Sequence, residues 1–317
     1  MYVKVTSPLA RFARYLSTKT CSLQAKTRPI EESANIIRHL QFTNQLPFEK
    51  GLLIQEKFVK AELELKELHS KIRRKLERLH QSADNTTTIN EHEKKIIDRI
   101  LAMKPNPIVM TFEFEPAYSG GKRIKKTITP EEIKKYESFV PLAQKENKKP
   151  KFVQVERGGQ VTFHGPGQMV AYIVLDLKSF SDFPAKCLVS SIETATITTL
   201  KNTKTNGGTS LLNLQSETTE NTGVWTLDHK KIASVGVHVR RSITSHGVAI
   251  NVCSDLSYMN NFVMCGLPSS EATSIKEQLP DCNVGVQDIS VSFVNEFAKT
   301  LGISTVERMQ LSDLDVE

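Results

Sequence analysis

From Ile54 onward, apolar side chains recur at Phe58, Ala61, Leu65, Leu68, Ile72, Leu76 and Leu79. Steps of three and four gather these residues on one face of an α-helix, because each residue advances about 100° around the axis. The Glu and Lys residues between them read as a solvated face. Further on the period changes from helical to twofold: Val235, Val237 and Val239 alternate, as do Val248, Ile250 and Val252. Alternation is the pattern of a half-buried strand, and the two runs predict an antiparallel hairpin across Arg240 to His246.

Weaker signals fill in the rest. Asp84 to Thr88 breaks the first helix, and Ile96, Ile97, Ile100 and Leu101 predict a shorter second one. After Pro105 and Pro107, Ile108 to Phe112 reads as a strand and Gly120-Gly121 as a turn. Thr129-Pro130-Glu131-Glu132 has the form of a capping box with proline in the first helical turn. Lys145 to Lys151 is expected to be an exposed loop, and Val170 to Leu175 a short apolar strand. Helical spacing returns between Leu188 and Leu200, and again at Val291, Val294, Phe297 and Leu301 before Gly302. Residues 201–223 are polar and read as a loop or insertion. There is no internal repeat. The order of helices and mostly antiparallel strands predicts an α+β fold with one catalytic domain.

Composition narrows the class. At 317 residues, 39% hydrophobic and 24% charged, the chain can bury a substantial core. No apolar run approaches the roughly 20 residues of a membrane helix. Five cysteines form no C-x-x-C pair and leave one over, which argues against a disulfide framework or a structural zinc site. The net charge of +7 is concentrated at the start: Lys4, Arg11, Arg14, Lys19, Lys26 and Arg28 all precede the first acidic residue, Glu31. Without them the chain holds 36 basic against 35 acidic residues, too balanced for a nucleic-acid footprint. A basic, acid-free, Ser/Thr-bearing leader with Leu9, Phe12, Tyr15 and Leu16 on one helical face predicts a mitochondrial transit peptide over residues 1–30. The expected organisation is then an N-terminal helical region over 31–106 and a catalytic domain over 107–317.

Four segments hold residues suited to chemistry. The first runs from Arg157 through Gly158, Gly159, Gln160, Val161, Thr162, Phe163 and His164 to Gly165-Pro166-Gly167-Gln168. Its glycines let the backbone approach a ligand, although tight turns use glycine for steric reasons alone. It matches neither common phosphate-binding glycine motif. The second is Lys230-Lys231-Ile232-Ala233-Ser234-Val235-Gly236. Surface lysines are usually solvated, but one drawn into an apolar site acquires acid–base or electrostatic uses. The third, Ser245-His246-Gly247-Val248-Ala249-Ile250-Asn251, offers His246 as a base, a donor or a satisfied core histidine. The fourth, Met264-Cys265-Gly266-Leu267-Pro268, sets a thiol in a turn. A free cysteine is most often a small buried hydrophobe, but in a turn it can meet substrate.

In combination these segments resemble the octanoyl (lipoyl) transferases over roughly residues 108–302. The resemblance rests on R-G-G-Q-V-T-F-H-G-P-G-Q at Arg157–Gln168, K-I-A-S-V-G at Lys231–Gly236, S-H-G-V-A-I-N-V at Ser245–Val252 and C-G at Cys265–Gly266. With the leader, the chain is similar to mitochondrial, fungal members. The resemblance implies a biotin/lipoate-protein-ligase-like sandwich with a mixed, mainly antiparallel sheet flanked by helices. It implies Cys265 as an acyl-thioester nucleophile activated by Lys231. The acyl pocket would lie along Arg157–His164, Ser234–Gly236 and Gly247–Ala249. The implied donor is octanoyl-acyl carrier protein. The acceptors would be lipoyl-domain proteins such as the glycine-cleavage H protein or 2-oxoacid dehydrogenase E2 subunits, in the mitochondrial matrix. No cofactor, metal, nucleic acid or membrane span is implied. One departure stands out, at a segment where the family has E-H-x-P-x-Y-[ST]. Here it reads Glu113-Phe114-Glu115-Pro116-Ala117-Tyr118-Ser119, with phenylalanine in place of histidine. The rival readings are an ATP-dependent lipoate-protein ligase, a lipoyl-protein amidotransferase and a non-catalytic module that binds acyl carrier protein.

Overall fold

A computed structural model describes residues 27–81, 89–141, 148–263, 266 and 271–312. The first long element is the strand β1 (Ile36–Leu46), followed by the helices α1 (Phe48–Gln81) and α2 (Glu91–Ala102). Next come β2 (Ile108–Phe114), β3 (Ala117–Gly120), the helix α3 (Pro130–Ser138), β4 (Lys151–Gln154), β5 (Val161–His164) and β6 (Gln168–Val174). The second half contains α4 (Ala185–Asn202), the short strands β7 (Lys204–Thr205), β8 (Ser210–Leu211), β9 (Ser216–Glu217) and β10 (Val224–Thr226), then β11 (Lys231–Arg240) and β12 (Ile243–Asn251). The helix α5 (Val286–Thr300) and β13 (Thr305–Leu311) complete it.

Eight strands form one sheet in the order β13-β1-β2-β6-β12-β11-β10-β9. Its β1 runs parallel to both neighbours, β13 and β2, and the other pairs are antiparallel, so the sheet is mixed. A second sheet, β4-β3-β5, lies apart from it. The large sheet is covered on both faces. On one, Ile192 of α4 and Phe293 and Phe297 of α5 pack with Ile173, Val248 and Ile250. On the other, Ile54 and Val59 of α1 pack with Phe112, Phe114, Val170 and Tyr172. The fold is thus α+β, a mixed sheet flanked by helices.

Several expectations hold in detail. The capping box at Thr129 is formed, with the Thr129 Oγ1 accepting from Glu132 N and the Glu132 carboxylate accepting from Thr129 N. Gly302 follows α5 at φ +66°, the left-handed conformation that ends helices. The β11–β12 hairpin exists, but its turn is only Arg241-Ser242, at φ +50° and +67°. His246, expected in the connection, therefore sits inside β12.

Other expectations need correction. The region 31–106 is not helical throughout: β1 is an interior strand of the large sheet. Its inward residues include His39 and Gln41, each 1% exposed, which hide the alternation. His39 bonds to Thr111 Oγ1 at 2.9 Å, and Gln41 donates through Nε2 to Gln287 Oε1 at 2.7 Å. Arg28 to Ile30, read as leader, bond to Ser179 and Ser181, so the folded body starts before residue 31. Residues 1–26 of the expected transit peptide lie outside the described residues, as do 145–147 of the Lys-rich loop; Lys151 opens β4. Residues 201–223, read as a loop, include the ribbon β7–β8 and the edge strand β9. Cys187 is buried in α4, whereas Cys253 and Cys282 are free thiols.

Candidate active site

The site is assembled on β11, β12 and β6 and closed by the loop before β5. Gly236 of β11 stands opposite Gly247 of β12, and Gly247 opposite Tyr172 of β6. At Gly247 no side chain fits, because a Cβ would lie 2.4 Å from the Ala171 carbonyl oxygen. The loop is pinned onto β11 by Gly158 N donating to Val237 O at 3.1 Å. Bare backbone thus forms part of the wall of a cavity of about 380 Å³.

Most of the predicted site residues border this cavity: Arg157, Gly158, Gly159, Gln160, Thr162 and His164 from the loop and β5, Lys231, Ser234, Val235 and Gly236 from β11, and Gly247, Val248 and Ala249 from β12. Val161 and Phe163 do not. Successive residues of a strand face opposite ways, and these two point into a separate aromatic cluster with Tyr118 and Tyr258. Phe163 stacks on Tyr258 at a centroid distance of 4.5 Å.

The floor of the loop is a chain of buried hydrogen bonds. Arg157 donates through Nη2 to Ser119 O at 2.7 Å and to Ser119 Oγ at 2.8 Å. Ser119 Oγ lies 3.0 Å from His164 Nε2, and His164 Nδ1 lies 3.0 Å from Gln168 Oε1. The Gln168 amide nitrogen donates to Asn251 Oδ1 at 2.8 Å, and Asn251 Nδ2 donates to Thr273 O at 2.8 Å. Since Gln168 presents its oxygen to His164, the ring proton belongs on Nδ1, and Nε2 accepts from Ser119. Burial, helped by the Arg157 charge, pushes the His164 pKa down to about 3, so the ring is a neutral strut at physiological pH. Phe48 of α1 stacks on it at 4.9 Å.

His246 was open between base, donor and core residue. Burial and the Arg157 charge likewise push it down to about 3, which removes it as a base near neutrality. Its φ of +60° is rare for a residue with a Cβ. Gln55 of α1 holds it there, accepting from His246 N at 2.5 Å. Phe114, the departure from the family's histidine, is fully buried behind the cavity, edge-on to Phe48 at 5.1 Å. Glu113 beside it accepts from Gly167 N at 2.9 Å and anchors the glycine loop.

At the other end, Lys231 Nζ donates to Thr222 O at 3.0 Å and lies 5.1 Å from the Trp225 ring centre. Both partners attract a cation. Burial raises the pKa of the nearby Glu193, against the opposing effects of the Gly223 N–H and the Lys231 charge. The Lys231 backbone pairs with Glu271 and Thr273 as the chain returns from the 267–270 segment. Cys265 lies outside the described residues. Its sequence neighbour Gly266 borders the cavity, at φ +71° and with no room for a Cβ beside Gln160. Phe48, Arg123, Tyr172, Val189, Asn221 and Thr222 also border it and were not foreseen. For Tyr172 a signal existed, since it shares a strand face with Val170; for the others, distant in sequence and outside any motif, there was none. Among the described residues, no cluster of His, Cys, Asp or Glu is arranged to hold a metal, and no helix is long and apolar enough to cross a membrane.

Residues 86–298 match the family described as the lipoyl protein ligase A/B catalytic domain. The mitochondrial octanoyltransferase of Saccharomyces cerevisiae is 62% identical over 302 residues, covering 95% of this chain and 92% of that one. That of Kluyveromyces lactis is 58% identical, covering 96% and 92%. Among solved structures, a lipoate-protein ligase A bound with ATP matches at a TM-score of 0.49 and 13% identity, covering 68% of this chain and 81% of that one. Match length and identity over nearly the whole sequence place the chain in the lipoyl protein ligase A/B family, among the mitochondrial octanoyltransferases of yeasts.

Proposed function

We propose that this acyltransferase moves an octanoyl group from acyl carrier protein to a lysine of a lipoyl domain, the first step of protein lipoylation, through a thioester on Cys265. The observation that carries the reading is convergence. Lys231, Gly266 and the glycine-rich walls come from three distant sequence segments and border one cavity.

The chemistry balances on these residues. A free thiol has a pKa near 8.5, so most of it is protonated at neutral pH, and a nearby ammonium favours the thiolate. The Cys265 thiolate attacks the donor thioester carbonyl, the bond to the phosphopantetheine sulfur breaks, and that sulfur departs as a thiol with the proton of the Lys231 ammonium, which leaves Lys231 neutral. One thioester replaces another, so the half-reaction needs no ATP. The acceptor lysine then attacks as a neutral amine. Its surplus proton passes to Lys231, the C–S bond to Cys265 breaks, and a more stable amide forms. Backbone N–H groups near Gly266 or in the glycine loop stabilise the oxyanion. An apolar slot recognises the chain by its length, since each buried methylene contributes about 0.8 kcal/mol.

The stretch before about residue 27 acts as the transit peptide that delivers the enzyme to the matrix, and the catalytic domain takes in β1 and α1 together with residues 107–317. The test is an intact-mass measurement after exposure to octanoyl-acyl carrier protein without ATP. Wild type gains one octanoyl group, and Cys265→Ser gains none and transfers none. Strict dependence on ATP overturns the reading in favour of a ligase. Full biological activity of Cys265→Ser overturns it in favour of a binding module.

A further inference from the structure

We propose that the imidazole of His246 is the end stop of the acyl slot, separating it from a second cavity and so setting the longest chain accepted; this rests on the octanoyl-transfer reading. His246 is the residue at which two cavities meet. It borders the 380 Å³ site and also a neighbouring cavity of about 210 Å³ between α1 and the ends of β11 and β12. That second cavity offers apolar surface from Leu52, Val59 and Val155.

The stop stands far from the chemistry. Gly247, its neighbour in β12, pairs with Gly236, five positions along β11 from Lys231. At about 3.3 Å per residue, the two ends lie roughly 16 Å apart along the strand. The lysine side chain, the thioester and the acyl chain must share that span. The ring is also held firmly. Gln55 fixes the backbone, and Tyr172 meets the imidazole edge-on at 5.6 Å. The side chain therefore stays in place at a backbone conformation that disfavours any side chain, φ +60°. Glycine adopts that conformation freely, so replacing His246 with glycine removes the partition without backbone strain.

The experiment measures kcat/KM for C6, C8, C10 and C12 acyl donors with wild type, His246→Gly and His246→Asn. Asparagine also tolerates a left-handed backbone and keeps a short stub. Each methylene newly buried is worth roughly fourfold. The C12:C8 ratio is expected to rise at least about tenfold in His246→Gly and less in His246→Asn. A second arm uses calorimetry to measure binding of C8 and C12 fatty acids, with no transfer required. Failure of wild type to form an acyl-enzyme sinks the transferase reading alone, and the binding arm still decides on the stop. An unchanged C12:C8 ratio in that arm, with both variants folded by thermal melt, overturns the proposal.

Discussion

The two ends of the cavity are built on opposite principles. At the inner end buried hydrogen bonds link Arg157, Ser119, His164, Gln168 and Asn251 into one chain, and aromatic rings from α1 and β2 pack behind it. At the outer end, Lys231 is only half-buried and leans on one carbonyl and one indole face. Beside it lie the short strands β9 and β10 at the sheet edge. The contrast separates two tasks. The inner end fixes a shape, and a satisfied buried network is rigid because breaking any member strands the rest. In the proposed reaction the outer end receives two macromolecular substrates in turn, which a closed network would prevent.

The largest expected effect attacks the outer end. Lys231→Ala slows formation of the acyl-enzyme by about 10²- to 10⁴-fold, the range of a lost acid–base partner, while the melting temperature stays near that of wild type. Rapid-quench mass spectrometry together with a thermal melt checks both halves. A melting temperature that falls in step with the rate would make Lys231 a structural residue and erase the contrast.

Acid attacks the inner end. His164 and His246, and outside the cavity His39 of β1, have folded pKa values of about 3, 3 and 4, all below the ordinary value of 6.5. Between those limits the unfolded chain binds more protons than the folded one, so stability falls as pH drops below 6.5. The slope approaches about 1.4 kcal/mol per pH unit for each ring. Urea unfolding at pH 7.5 and 5.5 measures it, and equal stabilities would mean that the rings are solvated.

The smallest effect tests how α1 is attached. Glu62 is buried beside Asp176, and burial first, then the Asp176 charge, raises its pKa to about 7, against the opposing pull of Lys66. Its folded pKa lies above its unfolded value of 4.5, so its ionisation destabilises the fold as pH rises from 4.5 through 7. Glu62→Gln should therefore stabilise by on the order of 1 kcal/mol at pH 8 and be neutral at pH 4.5. Equal effects at both values would sever the link between charge and the docking of α1.

What was legible in the sequence followed the physics of pattern. The helix α1 announced itself through seven apolar positions on one face, and the β11–β12 hairpin through strict alternation. β1 did not, because His39 and Gln41 occupy inward positions where a hydrophobic pattern should show, and their partners Thr111 and Gln287 lie far along the chain. β7 to β10 are two or three residues each, too short for any period to emerge. In the site, contiguous motifs located the glycine loop, Lys231 and the Gly236–Gly247 pair. They did not separate Thr162 and His164, which face the cavity, from Val161 and Phe163, which face away; that required knowing that the segment is a strand. Phe48 and Gln55 escaped altogether, since α1 was read as an addition to the core and not as a wall of the site.

The pairing of β1 with β13 has a bearing on how the molecule comes into being. Residues joined across that ladder are 269 positions apart, as in the Arg38–Glu307 ion pair. A ribosome makes β13 after every other strand of this sheet, so this edge is the last to be sealed. Such distant pairing also makes folding slow. A polypeptide bound for the mitochondrion gains from this delay, and removing Thr305–Leu311 would leave β1 paired with β2 alone.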